Sequence, residues 1–80
     1  MTTLRDLEPA LARIEAVLAA GEPIHRGRWR MESAAHHLAR ARRHLAALAA
    51  GDTAEDHGGH ALTRIAMAIT VAAASTGDAA

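Results

Sequence analysis

The sequence predicts an all-α fold, a single small domain over residues 1–80 in which three helices form a bundle. Apolar residues recur at alternating steps of three and four, the period of one helix face. Gly21 and Gly51 separate the periodic stretches, and glycine commonly follows the last residue of a helix. Twenty-two of the 80 residues are alanine, whose small side chain lets helices approach closely.

The first helix is predicted over about residues 6–20. Asp6 is expected to cap it, because Pro9 lacks an N–H and is tolerated only in the first turn. Gly21 is expected to end it, and Pro23 keeps the chain from continuing as a helix. The apolar face of this helix consists of Leu4, Leu7, Leu11, Ile14 and Leu18, with Val17 beside them.

An irregular link follows, with the sequence IHRGRWR over residues 24–30. It places Arg28 beside Trp29, the only aromatic residue other than histidine. One interpretation is a strap over a nucleotide, in which the indole or a guanidinium stacks on a base and arginine meets phosphate. The alternative is that Trp29 closes the end of the bundle among solvated arginines.

The second helix is predicted over about residues 32–50, ending at Gly51. His37 and His44 are seven residues apart, about 10 Å along the helix, so they cannot share one metal ion without further ligands. The arginines beside them are most simply a solvated face, except that Arg43 next to His44 is a candidate phosphate contact. The residues expected to point inward are Ala34, Leu38, Ala41, Leu45 and Leu48.

The third helix is predicted over about residues 54–74, with a frayed tail over residues 75–80. Thr53 and Asp56 have the spacing of a capping box. Alternatively, Glu55 and Asp56 present carboxylate oxygens to a hard cation, with His60 one turn further as a ligand or a phosphate contact. The residues expected to point inward are Leu62, Ile65, Ile69, Ala72 and Ala73.

Composition narrows the classes of function. Nine basic and nine acidic residues give zero net charge, which disfavours a general nucleic-acid binder, and a helix-turn-helix protein ranks lower because its third helix would carry only Arg64. The chain has no cysteine, so thiolate chemistry is excluded. The N-terminus has no apolar signal core and no apolar run is long enough to cross a membrane, so we expect a cytoplasmic protein without membrane contact.

The small size of the chain predicts self-association. A domain of this length hides only about 60% of the surface that the unfolded chain exposes. Bulky apolar residues are few among so many alanines, so the core should be thin. We therefore expect a homo-oligomer, most simply a two-fold dimer in which a second copy completes the bundle.

Four segments in order resemble one family. RDLEPALARIEAVLAAG, HRGRW, RRHLAALAAGD and EDHGGHA together are similar to the phage-associated dATP/dGTP diphosphohydrolase N-terminal family, near the MazG-like all-α nucleoside triphosphate pyrophosphohydrolases. The similarity spans residues 5 to about 70. In the family's closing helix a second histidine and an asparagine occur where this chain has Thr63 and Met67.

This resemblance implies hydrolysis of a deoxynucleoside triphosphate to the monophosphate and pyrophosphate with Mg²⁺ or Mn²⁺. The acids implied near the metal ion are Glu55 and Asp56, with Glu32 as a third. His60 and Glu55 would be catalytic. The residues implied to bind the substrate are Trp29, Arg28, Arg43 and His44.

Two alternatives remain open. One is a non-catalytic helical homodimer that binds nucleotide or another protein, because the acids of the family's ExxE-type metal set are not intact here. The other is a transition-metal site made of histidines alone, namely His37, His44, His57 and His60.

Overall fold

The computed structural model describes the backbone of residues 1–79 and the side chains of residues 1–75. Helix α1 spans Glu8–His25, α2 spans Ala34–Ala49 and α3 spans His57–Ala79. Short 3₁₀ helices cover Leu4–Leu7 and Arg28–Met31, and residues 1–79 contain no strand. The predicted all-α class with three helices is therefore confirmed.

Helix α1 is longer at its C-terminal end than the sequence predicted. The prediction that Asp6 caps α1 is wrong, because its carboxylate accepts the backbone N–H of Thr3 at 2.8 Å within the capping box of the preceding 3₁₀ helix. The N-cap position of α1 is Leu7, and Pro9 lies in the first turn as predicted. The predicted end at Gly21 is wrong, because the helix continues past Pro23. It ends where Arg26 and then Gly27 take positive φ angles of 48° and 76°, the left-handed backbone that terminates a helix.

Helix α1 lies against α3 and is only partly covered by it. The structure describes every residue of α1, and none of them is buried. The half-buried positions are Ala10, Ile14, Val17 and Gly21. Much of the predicted apolar face is instead open to solvent, since Leu7 is 51% exposed and Leu11 and Leu18 are 38% exposed.

Helix α2 turns only part of its predicted face inward, since Ala41 is buried and Ala34 is half-buried as expected while the leucines are not. Ser33 caps its first turn by accepting the His36 N–H at 3.1 Å, so α2 begins two residues later than expected. His37 and Ala41 are buried, whereas Leu38, Leu45 and Leu48 are 45–50% exposed. The prediction that these leucines point inward is wrong, because α3 covers the adjacent stripe that carries the histidines.

The same rotation occurs in α3. Its buried residues among the described side chains are small or polar: His57, Gly59, Ala61, Thr63 and Ala68. The Thr63 hydroxyl donates to the Gly59 carbonyl at 2.8 Å, which satisfies it inside the helix. Of the five residues predicted to point inward only Ile65 is partly covered, and the exposed ones are Leu62, Ile69, Ala72 and Ala73.

The end of α3 also differs from the prediction. The described backbone stays helical beyond Ala74 and reaches Ala79. The predicted fraying of residues 75–80 falls mainly on positions 76–80, and the side chains of 76–79 and all of Ala80 lie outside the described residues.

Helices α2 and α3 form an antiparallel hairpin, and the buried residues within the described side chains lie on these two helices. His37 of α2 contacts Arg64 of α3. His44, which is further along α2, contacts His57 at the start of α3. The two helices therefore run in opposite directions. Within residues 1–75 the buried hydrophobic residues are three alanines, at positions 41, 61 and 68. The Cα radius of gyration is 13.6 Å, against about 11.6 Å for a compact domain of this length. The core is therefore as thin as the composition predicted.

None of the helices in the described part of the chain combines the length and the apolar character that crossing a membrane requires.

Candidate metal centre

The loop between α2 and α3 places its acids in different directions. Helix α3 begins at His57, and Asp56 rather than Thr53 caps it, since the Asp56 carboxylate accepts the Gly59 N–H at 3.0 Å. The predicted capping role of Thr53 is wrong for that reason. A Cβ on Gly59 would collide with this carboxylate, so the glycine makes room for the cap. Capping turns Asp56 toward α1, where Arg13 lies 3.4 Å from it.

Glu55 turns the other way, toward two histidines. The Nδ1 atoms of His44 and His57 are 3.0 Å apart, and Glu55 Oε1 lies 3.4 Å from each of them. We call His44, Glu55 and His57 the metal triad, because these three side chains could hold a metal ion. Helix α2, the loop and the first residue of α3 each contribute one member.

Asp52 fixes the orientation of one triad member. Its Oδ2 accepts from His57 Nε2 at 3.0 Å, while its Oδ1 accepts the Ala54 N–H at 2.9 Å. Since His57 Nε2 is the donor to Asp52, the neutral ring has its lone pair on Nδ1, which faces His44 and Glu55. Carboxylates behind a metal-binding histidine commonly act in this way.

Electrostatics keep the triad ready to bind a cation. Burial of His44 and the nearby charge of His60 lower its pKa, and His57 and Arg64 act in the same direction against Glu55. His44 is therefore neutral at physiological pH, as a metal ligand must be. The backbone N–H of Ala54 and then His57 lower the pKa of Asp52, so this carboxylate is charged.

The side chains of the triad differ in exposure. His57 is 9% exposed and His44 is 22% exposed, whereas Glu55 is 51% exposed. The imidazoles are thus held within the hairpin, while the carboxylate side is open to solvent. His60 stacks on His44 with ring centroids 4.9 Å apart and planes inclined by 15°, so it presents its face rather than a nitrogen to that ring.

His60 also belongs to a large groove beside the triad. The groove has a volume of ≈ 880 Å³ and lies between the C-terminal half of α1, the link with Trp29, and one side of α2 and α3. Apolar residues of α1, among them Val17 and Leu18, form one wall. The polar and aromatic side chains that face it include Arg28, Trp29, Glu32, His36, Arg40, His60 and Arg64.

A buried histidine anchors the link with Trp29. His37 is 0% exposed, and its Nε2 lies 2.9 Å from the Trp29 carbonyl oxygen, while its Nδ1 lies 3.0 Å from an Arg64 nitrogen. Because arginine only donates and a carbonyl only accepts, His37 is the neutral tautomer with its proton on Nε2. Arg30 covers the indole at 4.7 Å. Trp29 therefore packs against the buried His37 and also lines the groove, and the interpretation of the link as a strap over a nucleotide stays a prediction.

The structure separates the three acids predicted to meet the metal ion. Glu55 belongs to the triad, Asp56 caps α3 and pairs with Arg13, and Glu32 lies in the groove, where it pairs with His36 and is 4.0 Å from Arg64. Of the predicted substrate-binding residues, Arg28 and Trp29 line the groove and His44 belongs to the triad. Arg43 is exposed and is not among the described residues that line the groove.

The all-histidine alternative is also divided by the structure. His44 and His57 meet, but His37 faces Trp29 and Arg64, and His60 stacks on His44. Sequence reasoning gave His57 a ligand role only in that alternative. The sequence feature that could have indicated His57 as a ligand is Asp52, five residues earlier. An acid that accepts a hydrogen bond from one imidazole nitrogen leaves the other nitrogen free to bind a metal ion.

Comparison with known proteins gave no match: no family model, no curated protein and no solved structure is similar to this chain. The resemblance to the dATP/dGTP diphosphohydrolase family therefore stays a prediction. The function has to be argued from the triad and the groove.

Proposed function

We propose that the protein is a metal-dependent hydrolase of deoxynucleoside triphosphates, which releases the monophosphate and pyrophosphate. The observation that carries the proposal is that three potential metal ligands adjoin a groove lined by arginines and a tryptophan, with His60 at the boundary. Phosphoryl chemistry needs a cation and fixed positive charges near the phosphate oxygens. The resemblance to the diphosphohydrolase family supports the same substrate class.

The groove suits an anionic ligand with a flat base. Arg28, Arg40 and Arg64 can donate to phosphate oxygens with planar guanidinium groups. Trp29 lines the groove, and we propose that a base stacks on its indole in place of Arg30, which lies 4.7 Å from that ring. Its volume of ≈ 880 Å³ falls within the range of small-molecule sites, which is about 300–1,000 Å³.

In the proposed reaction, water attacks the α phosphorus, the bond between that phosphorus and the oxygen bridging to the β phosphate breaks, and pyrophosphate leaves with the electron pair of that bond. A divalent cation held by the triad would supply charge that stabilises the leaving phosphates and acidifies a water molecule. His60 stacks on His44 of the triad and also lines the groove, and this position supports the proposal that it accepts the proton of the attacking water. The arginines of the groove orient the phosphates and take up developing negative charge.

The family resemblance predicts Mg²⁺ or Mn²⁺ as this cation. Two of the three triad donors are imidazole nitrogens, and imidazole suits transition metals better than Mg²⁺, which prefers oxygen. Mn²⁺ is therefore the better of the two at the triad, and Mg²⁺ would enter with the phosphates of the nucleotide.

Hydrolysis can be tested directly by phosphate release in the presence of inorganic pyrophosphatase. The four deoxynucleoside triphosphates are assayed with Mg²⁺ and with Mn²⁺. We expect release with at least one nucleotide, its loss in His60→Ala and Glu55→Gln, and its retention in Arg42→Gln on the exposed side of α2. No release with any nucleotide, together with an unchanged melting temperature when nucleotide is added, would end this proposal.

A second candidate is a non-catalytic helical homodimer, and a separate observation favours it. Large apolar side chains lie on the outside rather than in the interior, with Leu7 of the first 3₁₀ helix and Leu38, Leu45 and Leu48 of α2 each at least 45% exposed. Such a surface is usual at an interface between chains and unusual in a monomer. A second copy, which has the same apolar stripe and zero net charge, can cover it by two-fold packing.

Light scattering over a range of concentrations tests this second candidate. We expect a dimer at micromolar concentration, and we expect Leu45→Glu to shift it toward monomer. Arg43→Glu, a charge change on an exposed residue two positions earlier and therefore on the opposite side of the helix, should leave the dimer intact. A folded monomer of the native chain at that concentration would refute it.

A further inference from the structure

We infer that the metal triad is a binding site for a transition-metal ion of the Zn²⁺ class, held by His44 Nδ1, His57 Nδ1 and Glu55 Oε1, with Asp52 as the carboxylate that orients His57. This inference concerns metal binding alone. It does not depend on whether the protein hydrolyses nucleotides.

The spacing of the three atoms fits a small four-coordinate ion. Zinc binds nitrogen and oxygen ligands at about 2.0–2.2 Å, so two ligands of a tetrahedral centre lie about 3.3–3.6 Å apart. The three edges of the triad measure 3.0, 3.4 and 3.4 Å. Binding therefore requires only that the imidazoles separate by a few tenths of an ångström.

The donor types favour the same class of ion. Two imidazoles and one carboxylate form a ligand set that catalytic zinc sites use, with a fourth position left for water or substrate. Mg²⁺ and Ca²⁺ prefer oxygen donors in larger number, and the triad offers one carboxylate. Among the described residues, the neighbouring acid Asp56 is engaged with Gly59 and Arg13 and does not add a second.

The triad is held in place before any ion binds. His57 is 9% exposed and its ring is fixed by Asp52, whose other oxygen is held by the Ala54 N–H. His44 lies on α2 with its ring stacked against His60. Only Glu55, which is 51% exposed, has to be ordered by the ion, so most of the ordering cost is met by the fold.

The hydrogen bonds of His44 and His57 in the metal-free protein predict a change in histidine tautomer when a metal ion binds. His57 donates from Nε2 to Asp52, so in the neutral pair His44 carries its proton on Nδ1 and donates it to His57 Nδ1. An ion bound to both Nδ1 atoms takes this place, and the proton of His44 then resides on Nε2. Metal binding therefore changes the tautomer of His44 and leaves that of His57 unchanged.

The fourth position faces the open side of the triad. His44 and His57 are enclosed by the hairpin, whereas the Glu55 side is exposed, so a water molecule or a ligand can approach there. His60 stacks on His44 face to face and is therefore not counted as a ligand.

The experiment titrates the untagged, metal-free chain with Zn²⁺, Co²⁺ and Mg²⁺ as chloride salts. We expect one Zn²⁺ per chain, a raised melting temperature, and a visible Co²⁺ spectrum with the strong bands of four-coordinate cobalt. Mg²⁺ at the same concentration should give no shift. Long-range ¹H–¹⁵N spectra should show the tautomer change at His44 and none at His57.

Variants assign the ligands. His57→Ala and His44→Ala should weaken Zn²⁺ binding by at least about 100-fold, and Asp52→Asn by about 10–100-fold, the usual effect of losing an orienting carboxylate. Asp56→Asn is the matched control, because it removes the charge next to Glu55 while asparagine still caps the helix. It should bind Zn²⁺ within about twofold of the native chain. Circular dichroism of each metal-free variant shows whether it is folded, and Glu55→Gln, which changes an exposed side chain, covers the case in which a histidine variant is not.

Three results would overturn the inference: no saturable Zn²⁺ binding, a six-coordinate Co²⁺ spectrum, or native affinity in both His57→Ala and Glu55→Gln. Zinc binding without hydrolysis would support the inference and count against the proposed enzyme. Nucleotide hydrolysis by a native chain that shows no saturable Zn²⁺ binding would do the reverse, so the two proposals fail separately.

Discussion

The contact between α2 and α3 and the contact between α1 and α3 are built differently. The first buries polar side chains, His37, His57 and Thr63, and each has hydrogen-bond partners. The second buries no residue of α1 at all. The metal triad belongs to the first contact, while one wall of the groove belongs to α1.

This difference shows how the chain can combine a fixed site with an adaptable surface. Buried polar groups are costly unless they are paired, so the hairpin tolerates few arrangements of its histidines. Within the described side chains no buried nitrogen or oxygen lacks a partner. Helix α1 is held by half-buried apolar residues with no such requirement. A ligand or a second chain can therefore move α1 at a smaller cost in free energy than a rearrangement of α2 against α3 would require.

The largest expected effect comes from breaking the hairpin at His37. His37→Leu would leave the Arg64 guanidinium and the Trp29 carbonyl without their shared partner. We expect a loss of about 1–3 kcal/mol in the free energy of unfolding, because two partly buried groups lose their hydrogen-bond partner. Urea denaturation measures it, and His25→Leu on the exposed end of α1 is the control, with a change within about 0.5 kcal/mol. A His37→Leu chain as stable as the native one would contradict the contrast between the two contacts.

Hydrogen exchange compares the two contacts without a mutation. Amides of α1 should exchange through local opening well before those at the centres of α2 and α3, because the rest of the protein buries no residue of α1. If added nucleotide slows exchange in α1, the groove is its site. Equal protection of all three helices in a sample shown to be monomeric would remove the distinction.

A smaller effect is expected at the start of α2. Ser33→Ala removes the acceptor of the His36 N–H and should cost about 1 kcal/mol, the usual value for an N-cap. Ser33→Asp keeps an acceptor at that position and should stay within about 0.5 kcal/mol of the native chain. The same denaturation assay measures both, and equal loss in the two variants would show that the cap is not responsible.

The smallest effect is a pH dependence of the metal-free protein. The pKa of His44 lies below its ordinary value of 6.5 in the folded state, mainly through burial, so the unfolded chain takes up this proton first. Stability is therefore full above pH 6.5 and falls as the pH drops from 6.5 through the folded pKa. His44→Gln should flatten this part of the curve of unfolding free energy against pH. A native curve without any decline below pH 6.5 would contradict the lowered pKa.

The periodic spacing of apolar residues was enough to predict the number and approximate positions of the helices, because helix formation follows local pattern and punctuation. Gly51 ends α2 within one residue of expectation, and Pro9 lies in the first turn of α1. Gly21 misled the prediction, since a glycine within a helix weakens it without ending it, whereas Arg26 and Gly27 adopt the positive φ that does.

Some features of the candidate metal site could also be predicted from the sequence, and others depend on the tertiary structure. That Glu55 lies near His44 follows from the turn after α2, which returns the chain along the helix it has just left. The sequence does not predict that Asp56 caps α3 and pairs with Arg13 while Glu55 contacts the histidines. Which of the two neighbouring carboxylates makes which contact depends on the positions of α1 and α3.

The amino-acid pattern by itself determined an all-α chain with a turn rich in acids and histidines. The tertiary structure decided which helix faces are covered. A hydrophobic pattern records which side of a helix is apolar, and in α2 the covered side is the neighbouring one with His37 and His44, while Leu38 and Leu45 remain outside. The physical reason is that α2 and α3 meet through alanines at positions 41, 61 and 68, and the histidines beside them can be buried because His37 and His57 have hydrogen-bond partners inside the hairpin.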